Sequence, residues 1–408
     1  MTSTVDATPL RKSGPTSLPG AAGMKGGGVR YDLDIFRGIG AICVVIFHAY
    51  QHNRGAEWVL QGTVFHDFLM DTDGFVSMFF VISGFLLALP YVKSIVDETR
   101  PAVPARSFLI RRLARILPIY YLAVLVMWGL SNPVLPGDWQ DLLEHMTFTH
   151  VYDSTRIFYT DGPAWSLGDE MQFYLLLAVL GALGQEWCRR MVSRRARYAV
   201  MLSTIGVLIA ISLAYKAMAQ WVWHVPADDY AVWFGPIARL DLFAVGLLLA
   251  VLAGSGALLR SRPTRIGMVA LGAGLILWAF THRPPDDQPD VFTQPLVAVG
   301  CLLCFSAIVL SAAPAPRWLR WRPLVSVGLF SYSMYLWHEP MLRMLDALHV
   351  IPDLGTVWGF LATAAMLVPL GLLVGWLGDR VVIQTGLKVV AAFDRRGRAR
   401  NYYPELVD

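Results

Sequence analysis

The sequence predicts an all-α fold, a polytopic integral membrane helical bundle of about ten transmembrane helices with both termini in the cytoplasm. Composition is the first observation behind this prediction: the 408 residues are 55% apolar and only 16% charged. Their mean hydropathy of +0.49 is too high for a soluble chain of this length. The second observation is a regular alternation of apolar segments and polar loops, and the third is how the loops divide the basic residues.

Ten apolar segments recur along the chain, most of them close to the ~20 residues that a helix needs to cross a bilayer. The predicted spans are 33–51, 74–92, 115–131, 163–184, 198–218, 231–253, 266–280, 291–313, 324–346 and 355–378. The seventh span is the shortest. No long internal repeat accompanies them, so we expect a single membrane domain.

The basic residues are sorted between the two sides of the predicted bundle. If the N-terminus is cytoplasmic, 27 of the 34 lysine and arginine residues lie in the inner segments. The others are Arg54, Arg156 and Arg283 in outer loops and Arg37, Lys216, Arg239 and Arg343 within spans. This asymmetry follows the positive-inside rule and favours an even number of helices. The net charge of +4 therefore reports topology, and no nucleic-acid partner is expected.

The chain divides into one membrane domain and two tails. Residues 1–30 are rich in Gly, Pro, Ser and Thr and lack the apolar core of a signal peptide, which predicts a disordered cytoplasmic tail. Residues 31–385 form the transmembrane domain, and residues 386–408 form a basic cytoplasmic tail. The cysteines offer no disulfide framework, and Cys301-x-x-Cys304 lies in an apolar helix without further ligands, so no metal site is expected.

The first segment, YDLDIFRGIGAICVVIFH, carries Arg37 near its inner end and His48 near its outer end. Eleven residues of helix separate them by ~16 Å and return to within about 20° of the same face. A cavity wall would thus present a cation near the cytoplasm and an imidazole near the outer surface. That separation suits an acyl-CoA whose phosphates bind at Arg37 while its thioester reaches His48. The alternatives are an arginine that extends its charge to the membrane surface and an interfacial histidine.

The third segment begins with RSFLIRRLARILPIYY, in which Arg111, Arg112 and Arg115 lie on neighbouring faces of one helical turn. They would add positive charge beside Arg37, and guanidinium groups bind phosphates well. We therefore expect these arginines to contact the nucleotide of the same acyl-CoA. Anchoring on the positive inner side of the membrane is the alternative explanation.

Further polar residues lie inside the predicted membrane. Glu170 lies about two turns below the outer end of the fourth segment, and His338 lies near the outer end of the ninth. We therefore expect His48, Glu170 and His338 to share one level of the membrane. Arg239 in the sixth segment either lines the cavity or neutralises a buried carboxylate. Ser83 precedes Gly84, which favours close helix packing over a catalytic role.

Six stretches of this sequence resemble the acyltransferase 3 family of bacterial membrane O-acyltransferases, which includes lipopolysaccharide sugar O-acetylases and some macrolide acylases. They are LDIFRGIGAICVVIFH, GFVSMFFVISGFLLA, RRLARILPIYYL, WSLGDEMQFYLL, RLDLFAVGLLLA and SYSMYLWHEP. Each is weak alone, but together and in this order they are specific. The chain departs from many relatives after the last helix, where it has Asp379-Arg380-Val381-Val382 in place of a Glu-x-Pro element. No SGNH-type esterase domain follows, so the stand-alone form is expected.

The resemblance implies a multi-pass enzyme of the bacterial cytoplasmic (inner) membrane that moves an acyl group such as acetyl. The donor would be cytoplasmic acyl-CoA, with no other cofactor, and the acceptor a hydroxyl of a sugar, glycolipid or glycosylated molecule on the extracytoplasmic side. The other expected partners are membrane lipids. A transporter of a polar lipid or glycoside is the alternative, since polar residues around a midplane cavity would look similar.

The candidate residues suggest a mechanism for this transfer. We expect His48 to take the proton of the acceptor hydroxyl as that hydroxyl attacks the thioester carbonyl. Glu170 would orient His48 or bind acceptor hydroxyls. His338, Ser83 or a backbone N–H would stabilise the oxyanion.

Overall fold

The computed structural model of the chain describes residues 33–97, 99–282, 284, 289–351 and 356–388. The predicted tail at 1–30 lies outside the described residues, as does all of the second tail beyond residue 388. Regular structure in the described part is helical, apart from an isolated bridge between Leu259 and Ser311. The predicted all-α class is therefore confirmed.

Fourteen α-helices are present in this part of the chain. In order they are α1 (Asp34–His52), α2 (Arg54–Leu60), α3 (Val64–Met70), α4 (Phe75–Val96), α5 (Ala105–Ser131), α6 (Trp139–Thr147), α7 (Ala164–Cys188), α8 (Arg194–Trp221), α9 (Tyr230–Phe234), α10 (Leu240–Gly254), α11 (Arg262–Thr281), α12 (Thr293–Val309), α13 (Arg322–Ala347) and α14 (Val357–Leu377). A π-helical segment, Gly378–Ile383, follows α14.

Each predicted apolar segment contains a helix, with two differences in detail. Helix α5 begins ten residues before the predicted third span, because its arginines lower the local hydropathy without preventing helix formation. The predicted sixth span is divided into α9 and α10. The break contains Gly235 and Pro236, and proline lacks the N–H that a continuous helix needs.

Seven helical stretches among the described residues are long and apolar enough to cross a membrane. They contain α1, α4, α5, α7, α8, α11 and α14. Helices α10 and α12 are apolar but span only 15 and 17 residues, and α13 carries polar side chains through its outer half. The chain is a multi-pass membrane protein, whereas the count of ten helices and the cytoplasmic position of both termini stay predictions. The words inner and outer name the two ends of the bundle in that predicted orientation, with Asp34 of α1 toward the inner end and His52 toward the outer end.

Several helix pairs pack with their backbones in contact, and two of these pairs position the polar residues described below. A Cβ atom at Gly84 of α4 would collide with the carbonyl of Phe243 in α10, and one at Gly328 of α13 would collide with the carbonyl of Asp34 in α1. Small residues permit such close approach between membrane helices. Because α1 and α13 lie this close, the side chains of their outer halves face one another across a short gap.

Candidate active site

The outer polar centre consists of His48, His338 and Glu339, where α1 faces α13. The ring centroids of the two histidines are 4.8 Å apart. The Nδ1 atom of His48 lies 4.0 Å from Oε2 of Glu339. His48 therefore has a second imidazole and a carboxylate within reach.

His338 is fully buried, and its Nδ1 bonds the carbonyl oxygen of Tyr335 in the preceding turn. A carbonyl only accepts, so the neutral imidazole carries its proton on Nδ1 and keeps a lone pair on Nε2. In this neutral tautomer the Nε2 atom, which has no hydrogen-bond partner among the described residues, can accept a hydrogen bond but cannot donate one. A role of His338 at the oxyanion stays a prediction.

A loop from the outer side closes over Glu339. Arg343 lies one turn beyond Glu339 in α13. Its Nε donates to the Glu339 carboxylate at 2.9 Å, and its Nη1 donates to the carbonyl of Tyr159 at 3.0 Å. A Cβ atom at Gly162 would collide with the Glu339 carboxylate. Burial raises the pKa of the neighbouring Asp161 well above its ordinary value, and Glu339 adds to this rise while Arg343 opposes it.

The inner polar centre consists of Arg37, Ser83 and Glu170, which line one cavity of about 50 Å³ between α1, α4, α7 and α13. Ser83 donates its hydroxyl hydrogen to the Glu170 carboxylate. Ser83 thus faces α7, while the adjacent Gly84 supplies the close packing against α10 that the sequence favoured. In this structure the Ser83 hydroxyl hydrogen is directed at Glu170, and a role of Ser83 at the oxyanion stays a prediction.

Arginines gather at the inner end of this cavity. Arg37 lies 3.9 Å from the carboxylate of Asp34, and Arg115 is close enough to act on its charge. Arg112 and Arg115 are likewise close to Tyr174, which follows Glu170 by one turn. Arg111 is half-buried on the same turn of α5. The structure therefore places Arg115 within electrostatic range of Arg37, and Arg112 and Arg115 within that range of Tyr174.

The two polar centres lie at different depths, which differs from the predicted single level. Ser166 of α7 and Tyr335 of α13 contact each other at 2.8 Å. The helices are antiparallel, so Glu170 lies four residues inward of this contact and His338 three residues outward. At 1.5 Å per residue the separation is ~10 Å. Glu170 consequently shares its cavity with Arg37, and the carboxylate beside His48 is Glu339.

The reason for this difference is the stagger of the two helices. The prediction measured depth from the outer end of each apolar segment. In the structure Gly162, just before α7, packs against Glu339, so α13 extends about two turns outward beyond the start of α7. Glu339 follows His338 in the sequence, but adjacent residues of a helix point about 100° apart. Only the packing of α1 against α13 shows that both side chains flank His48.

Arg239 lies outside the cavity lining. It is buried at the start of α10, with its guanidinium carbon 4.5 Å from the ring centroid of Phe234 and 5.1 Å from that of Trp165. Asp169, which is fully buried, is its nearby carboxylate. Of the two predicted roles, this position suits charge neutralisation.

Comparison with known proteins places this arrangement in a family. A family model described as an acyltransferase domain, Acyl_transf_3, matches residues 30–378. A Komagataeibacter xylinus protein named as the membrane-bound transacylase BcsY is 28% identical over 331 residues, covering 76% of this chain and 72% of that protein. No solved structure matches the chain.

Two further relatives carry similar names. A Staphylococcus aureus (strain COL) protein named as an O-acetyltransferase is 26% identical over 344 residues, covering 78% of this chain. The chain spans 51% of that protein's length. Acyltransferase MdmB of Streptomyces mycarofaciens is 26% identical over 282 residues, covering 66% of this chain and 67% of that protein. The chain therefore belongs to the acyltransferase 3 family, and it is a membrane acyltransferase that moves groups other than amino-acyl groups.

Proposed function

We propose that the protein transfers an acyl group from cytoplasmic acyl-CoA to a hydroxyl of a sugar or glycoconjugate on the outer side of the bacterial cytoplasmic membrane. The observation that supports this proposal is the order of groups along α1. Arg37 lines a cavity near the inner end of the helix, with Arg115 within electrostatic range of it, and His48 lies ~16 Å further out with Glu339 beside it.

The inner centre is the proposed donor site. Arg37, Arg112 and Arg115 would bind the CoA phosphates, because guanidinium groups form paired, charge-assisted hydrogen bonds with phosphate. Arg111 would add charge at the same mouth. The pantetheine arm would then extend outward past Glu170. With Ser83 already bonded to it, Glu170 would hold the cavity wall in place and offer an acceptor to the donor's amide N–H groups.

The outer centre is the proposed site of chemistry. His48 would take the proton of the acceptor hydroxyl while the oxygen of that hydroxyl forms a bond to the thioester carbonyl carbon. The carbon–sulfur bond then breaks, and protonated His48 returns its proton to the leaving CoA thiolate. The Glu339 carboxylate would stabilise that protonated imidazole, as the carboxylate of a catalytic triad does. Atoms and charges balance, and the products are an ester and CoA.

The test compares His48 with a matched control on the same helix. His52 lies one turn further out and pairs with Asp346 of α13 at 3.3 Å, as His48 faces Glu339. The purified full chain in lipid nanodiscs would be given radiolabelled acetyl-CoA and a glycolipid extract from a Gram-negative bacterium. We expect base-labile label in the glycolipids with the wild type and His52→Ala, and none with His48→Ala.

Movement of unmodified glycolipid across the membrane that persists in His48→Ala would instead support a transporter.

A second measurement addresses the donor. Arg37→Ala should weaken acetyl-CoA binding by about ten-fold or more, since a hydrogen bond to a charged group contributes roughly 1.5–3 kcal/mol. Arg106→Ala, at the exposed start of α5, serves as the control and should leave binding unchanged.

A further inference from the structure

We infer that Phe79 and Tyr335 form a constriction between the inner cavity and His48, and that Phe79 determines the length of the acyl chain that the protein accepts. This inference rests on the proposed function, because it takes acyl-CoA as the donor. It concerns two aromatic side chains that line the cavity together with Arg37 and Glu170.

Phe79 meets α1 between the cation and the imidazole. A Cβ atom at Gly40 would lie 2.9 Å from Cε1 of the Phe79 ring, so the ring already touches the α1 backbone. Gly40 follows Arg37 by three residues and precedes His48 by eight. An acyl group that moves outward along α1 from Arg37 therefore has to pass this ring.

Tyr335 forms the opposite side of the constriction. Its ring centroid lies 5.9 Å from that of Phe79, with the ring planes nearly perpendicular at 84°. On its outer side the same ring lies 5.8 Å from His338, which in turn lies 4.8 Å from His48. The aromatic pair thus separates the inner polar centre from the outer one.

Phe79 is the member that can be changed without disturbing hydrogen bonds. The Tyr335 hydroxyl is held by Ser166 at 2.8 Å and by the Pro163 carbonyl at 3.3 Å. Phe79 is a half-buried hydrocarbon ring without polar atoms. It cannot retreat toward α1, because Gly40 leaves no gap behind it. Its size therefore sets the width of the passage.

The volume of the cavity indicates which acyl groups fit. The cavity that the two rings line is small, about 50 Å³. An acetyl group places a single methyl carbon beyond the thioester carbonyl. Every further methylene lengthens the chain, and a long chain would overlap the aromatic pair. The geometry therefore selects short acyl groups.

The experiment measures chain-length preference in donor binding, which needs no acceptor. Acetyl-CoA, butyryl-CoA and octanoyl-CoA would compete with radiolabelled acetyl-CoA for the full chain in lipid nanodiscs. We expect the wild type to prefer acetyl-CoA over octanoyl-CoA by about ten-fold or more. Phe79→Ala should bring this ratio close to unity, mainly through tighter octanoyl-CoA binding. Phe79→Leu, which preserves more of the packing, should give an intermediate ratio.

Phe75→Ala is the matched control. Phe75 lies one turn outward in α4, packs edge-on against Phe280 with ring centroids 6.0 Å apart, and does not line the cavity. This variant should retain the wild-type preference.

Three results would overturn the inference, and they are distinguishable. Equal binding of acetyl-CoA and octanoyl-CoA by the wild type would exclude the constriction. An unchanged ratio in both Phe79 variants would exclude the role of Phe79. Failure of the folded wild type to bind any acyl-CoA would overturn the proposed donor, and the inference with it.

Discussion

The hydroxyl oxygens of Ser166 and Tyr335 lie 2.8 Å apart and join α7 to α13 between the two polar centres. The Tyr335 hydroxyl also contacts the carbonyl of Pro163 at 3.3 Å. Both side chains are buried, so neither can exchange this contact for water at no cost. The contact sets how far Glu170 lies from His338.

We expect Ser166→Ala and Tyr335→Phe each to destabilise the protein by about 1 kcal/mol, because each leaves a buried polar group with one partner fewer. The double variant should cost less than the sum of the two, with a coupling of roughly 0.5–1.5 kcal/mol. Unfolding in detergent, followed by circular dichroism, would measure these free energies. Strictly additive losses would show that the two hydroxyls do not interact.

Glu339→Gln should reduce acyl transfer by about 10²-fold or more, because the amide keeps the shape of the side chain but cannot stabilise a protonated His48. Binding of acetyl-CoA should change little, since Arg37 lies at the other end of α1, ~16 Å from His48. Single-turnover transfer and equilibrium binding would separate the two effects.

Asp346→Asn provides the control for Glu339→Gln. Asp346 pairs with His52 in the next turn of the same two helices, but its side chain is 60% exposed. Transfer should stay at the wild-type rate. An equal loss in both variants would mean that any carboxylate in this part of α13 has the same effect.

Gly328→Ala should destabilise the protein by about 1–3 kcal/mol and slow transfer, because the added methyl group would separate α1 from α13 and so His48 from His338. Gly274→Ala is the control: Gly274 lies in α11 with open space around it. There the substitution should be neutral or stabilise the helix by up to about 1 kcal/mol. Thermal unfolding would compare the two variants, and similar stability would contradict the close packing.

Stability should fall in acid because of His150, in the outer loop between α6 and α7. Burial lowers the pKa of His150 to about 3, and the charge of His145, stacked 4.1 Å away, acts in the same direction. Between about pH 6.5 and about pH 3, the His150 side chain of the unfolded chain binds a proton that the folded chain does not. Stability should therefore decrease by up to about 1.4 kcal/mol per pH unit as the pH falls through this range.

His150→Gln should remove this part of the pH dependence, whatever its effect on stability at neutral pH. His282→Gln, at an exposed position, should keep the wild-type slope. Denaturant unfolding at a series of pH values from about 3.5 to 7.5 would measure both slopes. Identical slopes in the wild type and His150→Gln would contradict the assignment.

The helices could be predicted from the sequence because the bilayer leaves few alternatives. A backbone in lipid has to satisfy its own hydrogen bonds, so each long apolar segment becomes a helix. Within one helix, geometry follows directly from spacing: the step of eleven residues from Arg37 to His48 corresponds to ~16 Å on nearly one face. The break between α9 and α10 shows the limit of this reasoning, since Gly235 and Pro236 interrupt a segment that was predicted as a single span.

The pairing of residues on different helices could not be predicted in the same way. Hydropathy places the end of a helix only to within a turn or more, and it does not report how far one helix is shifted along another. For this reason Glu170 was expected beside His48, although Glu339 occupies that position. The sequence by itself determined a helical membrane bundle with Arg37 and His48 on nearly one face of its first helix. The tertiary structure decided which carboxylate faces that histidine, because glycine contacts such as that of Gly328 with Asp34 and the Ser166–Tyr335 contact set the relative heights of the helices.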